Sequence, residues 1–158
     1  MLEEYDKKSF FTWCAKRGLK RADEIGVYFH LSPQTIRNWQ RHAIEGSVSM
    51  QAVPHWICLA IYYYNHSAGD SDEMPSAPNF EMTFSGLKLW QNKHGFSTYE
   101  STAEVFDIRR QAVHLWHKRQ KIPAWVSLAC LGYDCYVLDD NQEKRKTCLD
   151  LTLGSDDH

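Results

Sequence analysis

The sequence predicts an all-α protein built from two related units of four to five helices each, followed by a polar, acidic C-terminal tail. Apolar residues recur at the three- and four-residue intervals of amphipathic helices, and glycines, prolines and capping residues separate those segments. The chain also contains an internal repeat whose period is close to half its length. With 43% hydrophobic residues the 158-residue chain can bury a core, and it contains no run of the ~18 apolar residues that a membrane span needs.

The internal repeat relates the first part of the chain to the second. Shifted by 77 positions, residues 10–41 align with residues 87–118 without a gap, and six of the 32 positions are identical. Ordinary residue frequencies would give roughly two. Shifted by 69, residues 53–61 align with residues 122–130, so the first copy has eight extra residues within 43–51. Coincidence between two helical segments of similar composition is the alternative. The identical pairs are Trp13/Trp90, Lys16/Lys93, Gly18/Gly95, Phe29/Phe106, Gln34/Gln111 and Trp39/Trp116.

The first copy, residues 1–66, is predicted to contain four helices. Gly18 ends the first, because glycine readily adopts the left-handed conformation after a helix. Ser32 caps the third, and Pro33 suits its first position, where no N–H is needed. The fourth helix ends in three tyrosines that are expected in the core, with a dimer surface as the alternative. The four predicted helices cover residues 4–17, 21–29, 33–41 and 53–64.

Residues 67–82 are predicted to be a linker, because they are rich in proline, serine and acidic residues and poor in apolar ones. The second copy, residues 83–133, repeats the plan, with helices that end at Gly95 and Gly132. Residues 134–158 are predicted to be an acidic tail, in which residues 136–138 are either a short strand or an apolar tether. The predicted helices of the second copy cover residues 84–93, 99–106, 109–118 and 123–131.

Charge is distributed unevenly along the chain, although the net charge is only −2. Residues 1–66 carry +2 and residues 84–133 carry +4, whereas residues 67–83 and residues 134–158 carry −4 each. Two basic blocks are therefore separated and followed by acidic segments. A local basic face matters more for a nucleic-acid partner than the total charge does.

The segments GVYFHLSPQTIRNWQR at 26–41 and AEVFDIRRQAVHLWHK at 103–118 meet the positional requirements of a helix-turn-helix motif. The first helix needs a small residue where the helices cross, and the turn needs a residue that tolerates a positive φ. The second helix must bury two positions three apart. Each copy satisfies these requirements, although neither has a glycine in the turn. The residues concerned are Gly26 and Ala103 at the crossing, His30 and Asp107 in the turn, Phe29, Leu31, Phe106 and Ile108 beside it, and Ile36, Trp39, Val113 and Trp116 in the second helix.

These paired segments resemble the helix-turn-helix domains of phage and plasmid repressors of the Cro/cI type. The second copy is the more similar, because AVHLWHKRQKIPAW resembles the family's recognition helix with its basic turn and the Ile-Pro that starts the next helix. The resemblance covers about 50 residues of each copy and neither the linker nor the tail. It implies a sequence-specific, double-stranded DNA-binding transcriptional regulator of phage or mobile-element type, a repressor or an activator, usually a two-fold dimer. The tandem arrangement departs from that pattern.

The resemblance assigns DNA contacts to the two recognition helices. Outward side chains in their N-terminal parts are expected at base edges, since Gln and Asn pair with adenine and Arg with guanine. Basic side chains at or beyond the helix ends are expected at phosphates, and a solvated helix face is the alternative for them. Because the two sets differ, two different half-sites are expected. The base contacts are Gln34, Thr35, Arg37, Asn38, Arg109, Arg110, Gln111 and His114, and the phosphate contacts are Arg41, His42, Lys118, Arg119 and Lys121.

Enzymatic and metal-binding functions have little support in the sequence. It contains no glycine-rich phosphate loop, serine nucleophile motif or HExxH motif, so no catalytic residue and no cofactor are expected. His114, His117, Cys130 and Cys135 lack the spacing of a zinc site. Five cysteines at irregular spacings are typical of reduced thiols, which predicts a cytoplasmic protein. The resemblance to phage and plasmid repressors implies that this cytoplasm is that of a bacterial cell or a phage-infected host.

A protein-binding function is the alternative to DNA binding. The acidic linker and tail are compatible with a module that inhibits or adapts a host factor through the same helix-turn-helix scaffold. A homodimer and a host protein are therefore candidate partners beside double-stranded DNA, and no membrane partner is expected. One copy is also a candidate dimerisation domain, and the weaker basic character of the first copy favours that copy for this role.

Overall fold

The computed structural model describes residues 2–69, 71–78 and 81–155, with side chains through residue 149, and its regular structure there is helical. This confirms the predicted all-α class. Linker positions 70, 79 and 80 and tail positions 156–158 lie outside the described residues. The helices are α1 (Lys7–Lys16), α2 (Ala22–Phe29), α3 (Pro33–Glu45), α4 (His55–Ala68), α5 (Phe84–His94), α6 (Tyr99–Phe106), α7 (Arg110–Arg119) and α8 (Trp125–Ser155), with a 3₁₀ turn at Val48–Met50.

The helices begin and end at residues whose chemistry explains the boundary. The Ser32 side chain accepts a hydrogen bond from the Thr35 backbone N–H, and Pro33 starts α3, as predicted. Gly18 has a φ of 80° and Gly95 a φ of 73°, so both glycines end their helices in the left-handed conformation that the sequence predicts for them. Within the described ranges, no helix combines the length and apolar character that crossing a bilayer requires.

The prediction that the last helix ends at Gly132 is wrong. One helix, α8, runs through this position to Ser155, so residues 134–155 are helical and residues 136–138 are neither strand nor tether. A Cβ atom on Gly132 would lie 1.9 Å from the backbone oxygen of Leu59 in α4. The glycine therefore allows two helices to approach closely and does not terminate one. A glycine inside a helix costs only about 1 kcal/mol relative to alanine, which packing against α4 offsets.

The contact between α4 and α8 is the most extensive helix–helix contact among the described residues. Near the start of both helices, the rings of Trp56 and Trp125 stack with centroids 5.2 Å apart and planes inclined by 13°. Further along, the Tyr62 hydroxyl donates to the Asp139 carboxylate over 2.5 Å. One cluster of buried apolar side chains extends through both halves of the chain, so the two predicted domains pack directly against each other.

Tyrosines at the end of α4 belong to this core. Tyr64 is fully buried, and its hydroxyl donates a hydrogen bond to the backbone oxygen of Tyr28 in α2. Tyr62 and Tyr63 are half-buried, and the Tyr62 ring meets that of Tyr136 edge to face at 5.6 Å. The predicted core position therefore holds for Tyr64, while Tyr62 faces α8 of the same chain.

Contacts within the first half recur in the second half at the positions that the repeat predicts. Trp13 Nε1 donates to Asn65 Oδ1 over 3.0 Å, and Trp90 Nε1 donates to Asp134 Oδ1 over 2.9 Å. The two tryptophans are 77 positions apart and their acceptors 69 positions apart. Each hydrogen bond ties the first helix of a half to its last helix. A common origin of the two halves stays a prediction.

We expect Gly132→Ala to lower the free energy of unfolding by about 2 kcal/mol or more, because the new methyl group would overlap a backbone atom that cannot rotate away. Gly86→Ala is the matched control, since it adds the same methyl group to another helical glycine. There the nearest atom is the flexible Met82 Cγ at 3.1 Å, so we expect a change within about 1 kcal/mol. Urea unfolding followed by circular dichroism measures both. Equal stability of the two variants would contradict the close α4–α8 crossing.

Candidate nucleic-acid interface

The first helix-turn-helix consists of α2, a tight turn and α3. At the crossing, a Cβ atom on Gly26 would lie 2.3 Å from the backbone oxygen of Leu31, so only glycine fits without a shift. The Leu31 N–H donates to the Gly26 carbonyl oxygen over 3.0 Å, which closes the turn. His30 has a φ of 55° and lies in the left-handed region. The predictions for the crossing and the turn are confirmed here.

The second helix-turn-helix, formed by α6 and α7, repeats this geometry. Ala103 is buried at the crossing, and the Ile108 N–H donates to its carbonyl oxygen over 3.0 Å. Asp107 has a φ of 52°, so a non-glycine residue again occupies the left-handed turn position. Aspartate is among the residues that tolerate this conformation best, which explains how the motif forms without a turn glycine.

The inner faces of α3 and α7 are anchored by apolar side chains. Ile36 and Val113 are completely buried, and Trp116 is nearly so. Trp39 is only half-buried, and its ring meets the edge of Phe10 in α1 at 5.8 Å. These anchors fix the rotation of both helices about their axes. The opposite faces of α3 and α7 are therefore directed away from the core.

The outer face of α3 carries the predicted base contacts of the first copy. Gln34 and Arg37 are exposed, whereas Thr35 and Asn38 are partly buried. Gln34 Nε2 donates to Asn38 Oδ1 over 3.0 Å, which links the two amides side by side on the helix surface. The Thr35 hydroxyl lies 2.9 Å from the Ser32 hydroxyl at the helix start. The structure thus brings the four predicted side chains together on the first two turns of α3.

The outer face of α7 carries the predicted base contacts of the second copy. Arg109, Arg110, Gln111 and His114 are all exposed, and Arg109 is the residue that immediately precedes the helix. The last three line a shallow depression of about 250 Å³. Arg110 Nε lies 3.9 Å from a carboxylate oxygen of Glu100, a contact between two exposed groups that contributes little to stability. The guanidinium group is therefore free to exchange this partner for another acceptor.

The predicted phosphate contacts divide into two groups. Lys118, Arg119 and Lys121 are exposed at the end of α7, where Gln120 turns the chain with a φ of 54°. Cations there also favour the helix by interacting with its C-terminal dipole. Arg41 is likewise exposed at the far end of α3. All four can rotate toward an anion without losing a contact to the core.

His42 differs from the other predicted phosphate contacts. It is half-buried, and its Nδ1 lies 3.1 Å from the amino group of Lys7. Lys7 is itself a buried lysine whose amino group donates to the backbone oxygen of Met50, and burial lowers its pKa. The pair therefore holds the loop after α3 against α1. Sequence reasoning missed this role because Lys7 and Lys8 are adjacent and look alike.

Another feature that the sequence does not reveal is the apolar surface beyond α3. The side chains of Ile44, Val48 and Met50 are 88%, 92% and 47% exposed. They belong to the eight-residue insertion of the first copy, which has no counterpart in the second. Gln51 Nε2 donates to the backbone oxygens of His42 and Gly46, so this insertion is tied to the end of α3.

The residues weighed for a metal site occupy different surroundings. Cys130 is buried in α8, and desolvation raises the pKa of its thiol, whereas His114 is exposed on α7. His117 is partly buried between the rings of Phe84 and Tyr99, and desolvation lowers its pKa. In the portion of the chain that the structure describes, no three His, Cys, Asp or Glu side chains are grouped closely enough to hold a metal ion.

Comparison with known proteins finds no family model, no curated protein and no solved structure that matches this chain. The resemblance to Cro/cI-type repressors therefore rests on the residues of the two motifs alone. The geometry of the turns and the burial of the inner faces add physical support for the motif itself.

Proposed function

We propose that the protein is a sequence-specific double-stranded DNA-binding transcriptional regulator that reads the major groove with α3 and α7. The observation that carries this proposal is the two-sided character of both helices. Their inner faces are anchored in the core by Ile36 and Val113, and their outer faces present amide, guanidinium and imidazole groups to solvent. The proposed function places the protein in the cytoplasm of a bacterial cell or of a phage-infected host, where DNA is accessible.

The chemistry of the outer faces supports base reading. The major groove admits an α-helix and distinguishes all four base pairs by donors and acceptors. On α3, the amides of Gln34 and Asn38 suit the N6 and N7 positions of adenine, and Arg37 suits guanine. On α7, Arg110 and Gln111 offer the same two kinds of contact in a different order. We therefore expect α3 and α7 to bind DNA half-sites of related but different sequence.

Electrostatics supports a larger contribution from the second unit to binding affinity. Residues 84–133 carry a net charge of +4, compared with +2 for residues 1–66. Three exposed cations, Lys118, Arg119 and Lys121, follow one another at the end of α7. Cations at this place lie beside the DNA backbone when the start of the helix is in the groove. We therefore expect α7 to supply more phosphate contacts than α3.

We expect the double variant Arg110→Ala/Gln111→Ala to bind its preferred duplex about 30-fold more weakly or worse, because it removes two base contacts that contribute ~1–3 kcal/mol each. The same loss is expected for Gln34→Ala/Arg37→Ala. The preferred duplex is first selected from a random double-stranded library, and affinity is measured by mobility shift. Gln142→Ala/Lys144→Ala is the matched control, because it removes one exposed amide and one exposed cation from α8. Equal affinity of all three variants would exclude these helices as DNA readers.

We expect Lys118→Ala, Arg119→Ala and Lys121→Ala to weaken binding to all duplexes alike, because phosphates are the same in every sequence. Each lost phosphate contact should reduce the slope of log K against log salt concentration by about 0.9. Affinity measured between 50 and 300 mM KCl tests this expectation. Lys144→Ala serves as the control for the loss of one exposed charge outside the motif. A slope that no variant changes would contradict the assignment of these residues to the DNA backbone.

A protein-binding module that inhibits or adapts a host factor is the second candidate function. The apolar surface of Ile44, Val48 and Met50 favours it, because neighbouring exposed apolar side chains often mark an interaction site. Ile44 also borders a groove that contains Phe11 and Leu19. This surface lies at the C-terminal end of α3, about two helical turns beyond the base-reading residues, so a protein bound there would contact a different part of the helix.

A transcription reporter distinguishes the two candidates. The reporter is driven by the DNA upstream of the protein's own gene, and expression of the protein is expected to change its output. For a DNA reader, Gln34→Ala/Arg37→Ala should abolish the change and Ile44→Ser/Val48→Ser should leave it intact, because the serines remove apolar surface without adding charge. For a protein-binding module, the two variants should exchange these results. Asn141→Ser/Gln142→Ser is the control, since it places the same two serines at exposed positions of α8.

A further inference from the structure

We infer that a single chain is built as a pseudo-two-fold pair of readers and occupies one operator made of two unlike, inverted half-sites. This inference rests on the proposed DNA-binding function and specifies its target and stoichiometry. The starting point is the stack between Trp56 and Trp125. These residues correspond to each other in the internal repeat, at the shift of 69 that aligns α4 with the start of α8.

Contact between corresponding residues is informative about symmetry. In an isologous, two-fold interface the same patch of both partners meets itself, so a residue near the axis touches its own counterpart. In a head-to-tail interface, two different patches meet and counterparts lie apart. The Trp56–Trp125 stack, with planes within 13° of parallel, therefore indicates that the two halves are related by an approximate two-fold axis beside these rings.

The direction of that axis follows from the order of contacts along α4 and α8. After the tryptophan stack, Leu59 meets Gly132, and His66 Nδ1 lies 3.1 Å from Asp139 Oδ2. Positions advance together along both helices, so α4 and α8 run in the same direction. A two-fold axis that relates two parallel helices runs along them. Gly132 and Asp139 each lie four positions beyond the repeat counterparts of Leu59 and His66, so α8 is displaced along this axis by about one helical turn, roughly 6 Å. Rotation about the axis combined with this small displacement presents α3 and α7 on opposite sides, at levels about one turn apart.

This arrangement matches the geometry of a DNA operator. The dyad of an operator is perpendicular to the duplex axis, and the two recognition helices of a dimeric repressor enter successive major grooves on its two sides. Here the α4–α8 core takes the place of the subunit interface. Because Trp56 is almost fully buried in that core, the separation of the readers is set by packing and not by the length of the linker.

The operator implied by this geometry is not a perfect palindrome. Gln34, Arg37 and Asn38 face one half-site, whereas Arg110, Gln111 and His114 face the other. Since both reading sets belong to the same chain, no second copy is required to complete the site. The expected target is therefore two different sequences in inverted orientation, with one fixed spacing of about one helical turn of DNA, roughly 10 base pairs.

The experiment begins with selection from a library of duplexes containing 30 random base pairs, using the full chain. The expected product is a motif of two unlike, inverted half-sites with a single spacing. Light scattering of the purified complex should give one 18.5 kDa chain for each duplex. Two chains on a duplex, a perfect palindrome, or half-sites in direct orientation would overturn the inference and leave DNA binding standing. Failure to enrich any duplex, together with no binding at 50 mM KCl, would remove the proposed function and this inference with it.

Surface variants then assign each half-site to its helix. We expect selection with Gln34→Ala/Arg37→Ala to lose the consensus of one half-site only, and selection with Arg110→Ala/Gln111→Ala to lose the other. Gln142→Ala/Lys144→Ala should reproduce the complete motif. These positions are exposed, so folding is checked by comparing circular dichroism spectra with that of the unmodified chain. Loss of both half-sites in each variant, as expected when two chains bind a symmetric site, would contradict the inference.

Spacing tests the rigid core directly. Insertion of five base pairs between the selected half-sites places them on opposite faces of the duplex, and we expect affinity to fall to that of an isolated half-site. Insertion of ten base pairs returns the two half-sites to the same face of the duplex but doubles the distance between them. We expect the same loss of affinity, because the α4–α8 packing holds α3 and α7 at a fixed distance. Recovery of full affinity with ten added base pairs would show two independently tethered units and would overturn the inference.

Discussion

The close packing of α4 against α8 is the contact on which the rest of the molecule depends. Gly132 lets the α8 backbone approach the Leu59 carbonyl group, and the stacked rings of Trp56 and Trp125 fill the space near the helix starts. Helix α4 belongs to the first half of the chain and α8 to the second, so their contact joins the two halves into one core. Tyr62 and His66 extend it through their contacts with Asp139, where α8 continues beyond the second unit.

Each unit is then stabilised by the same small set of contacts. An indole N–H donates to Asn65 in one half and to Asp134 in the other, and the tryptophan ring packs on Phe29 or Phe106. The second unit uses a carboxylate where the first uses an amide, and a second side chain joins the acceptor in both. Arg17 Nη2 donates to Asn65 Oδ1 over 2.7 Å, and His94 Nε2 lies 2.7 Å from Asp134 Oδ1. These anchors hold the first helix, the turn and the last helix in one arrangement. Helices α3 and α7 consequently have little freedom to rotate.

The two units differ where a partner would meet them. The first carries an insertion that Lys7 and Gln51 tie to the end of α3, and this insertion leaves Ile44 and Val48 exposed. The second has a short basic turn in the same place, with Lys121 following Gln120 in the left-handed conformation. One unit is therefore extended by an apolar surface and the other by a cationic one. This asymmetry supports the proposal that the outer faces of α3 and α7 bind different DNA sequences.

The sequence by itself determined the local features of this protein. Gly26, His30 and Asp107 mark the crossings and turns because steric limits on φ and on helix approach act within a few residues. Ile36 and Val113 could be placed in the core because helical periodicity separates an inner face from an outer one. Only the tertiary structure decided that Gly132 lies at a close helix crossing, that Lys7 is buried and that Trp56 stacks on Trp125. Each of these features depends on atoms that are distant along the chain. The local sequence does not distinguish a glycine that ends a helix from one that lets a neighbouring backbone approach closely.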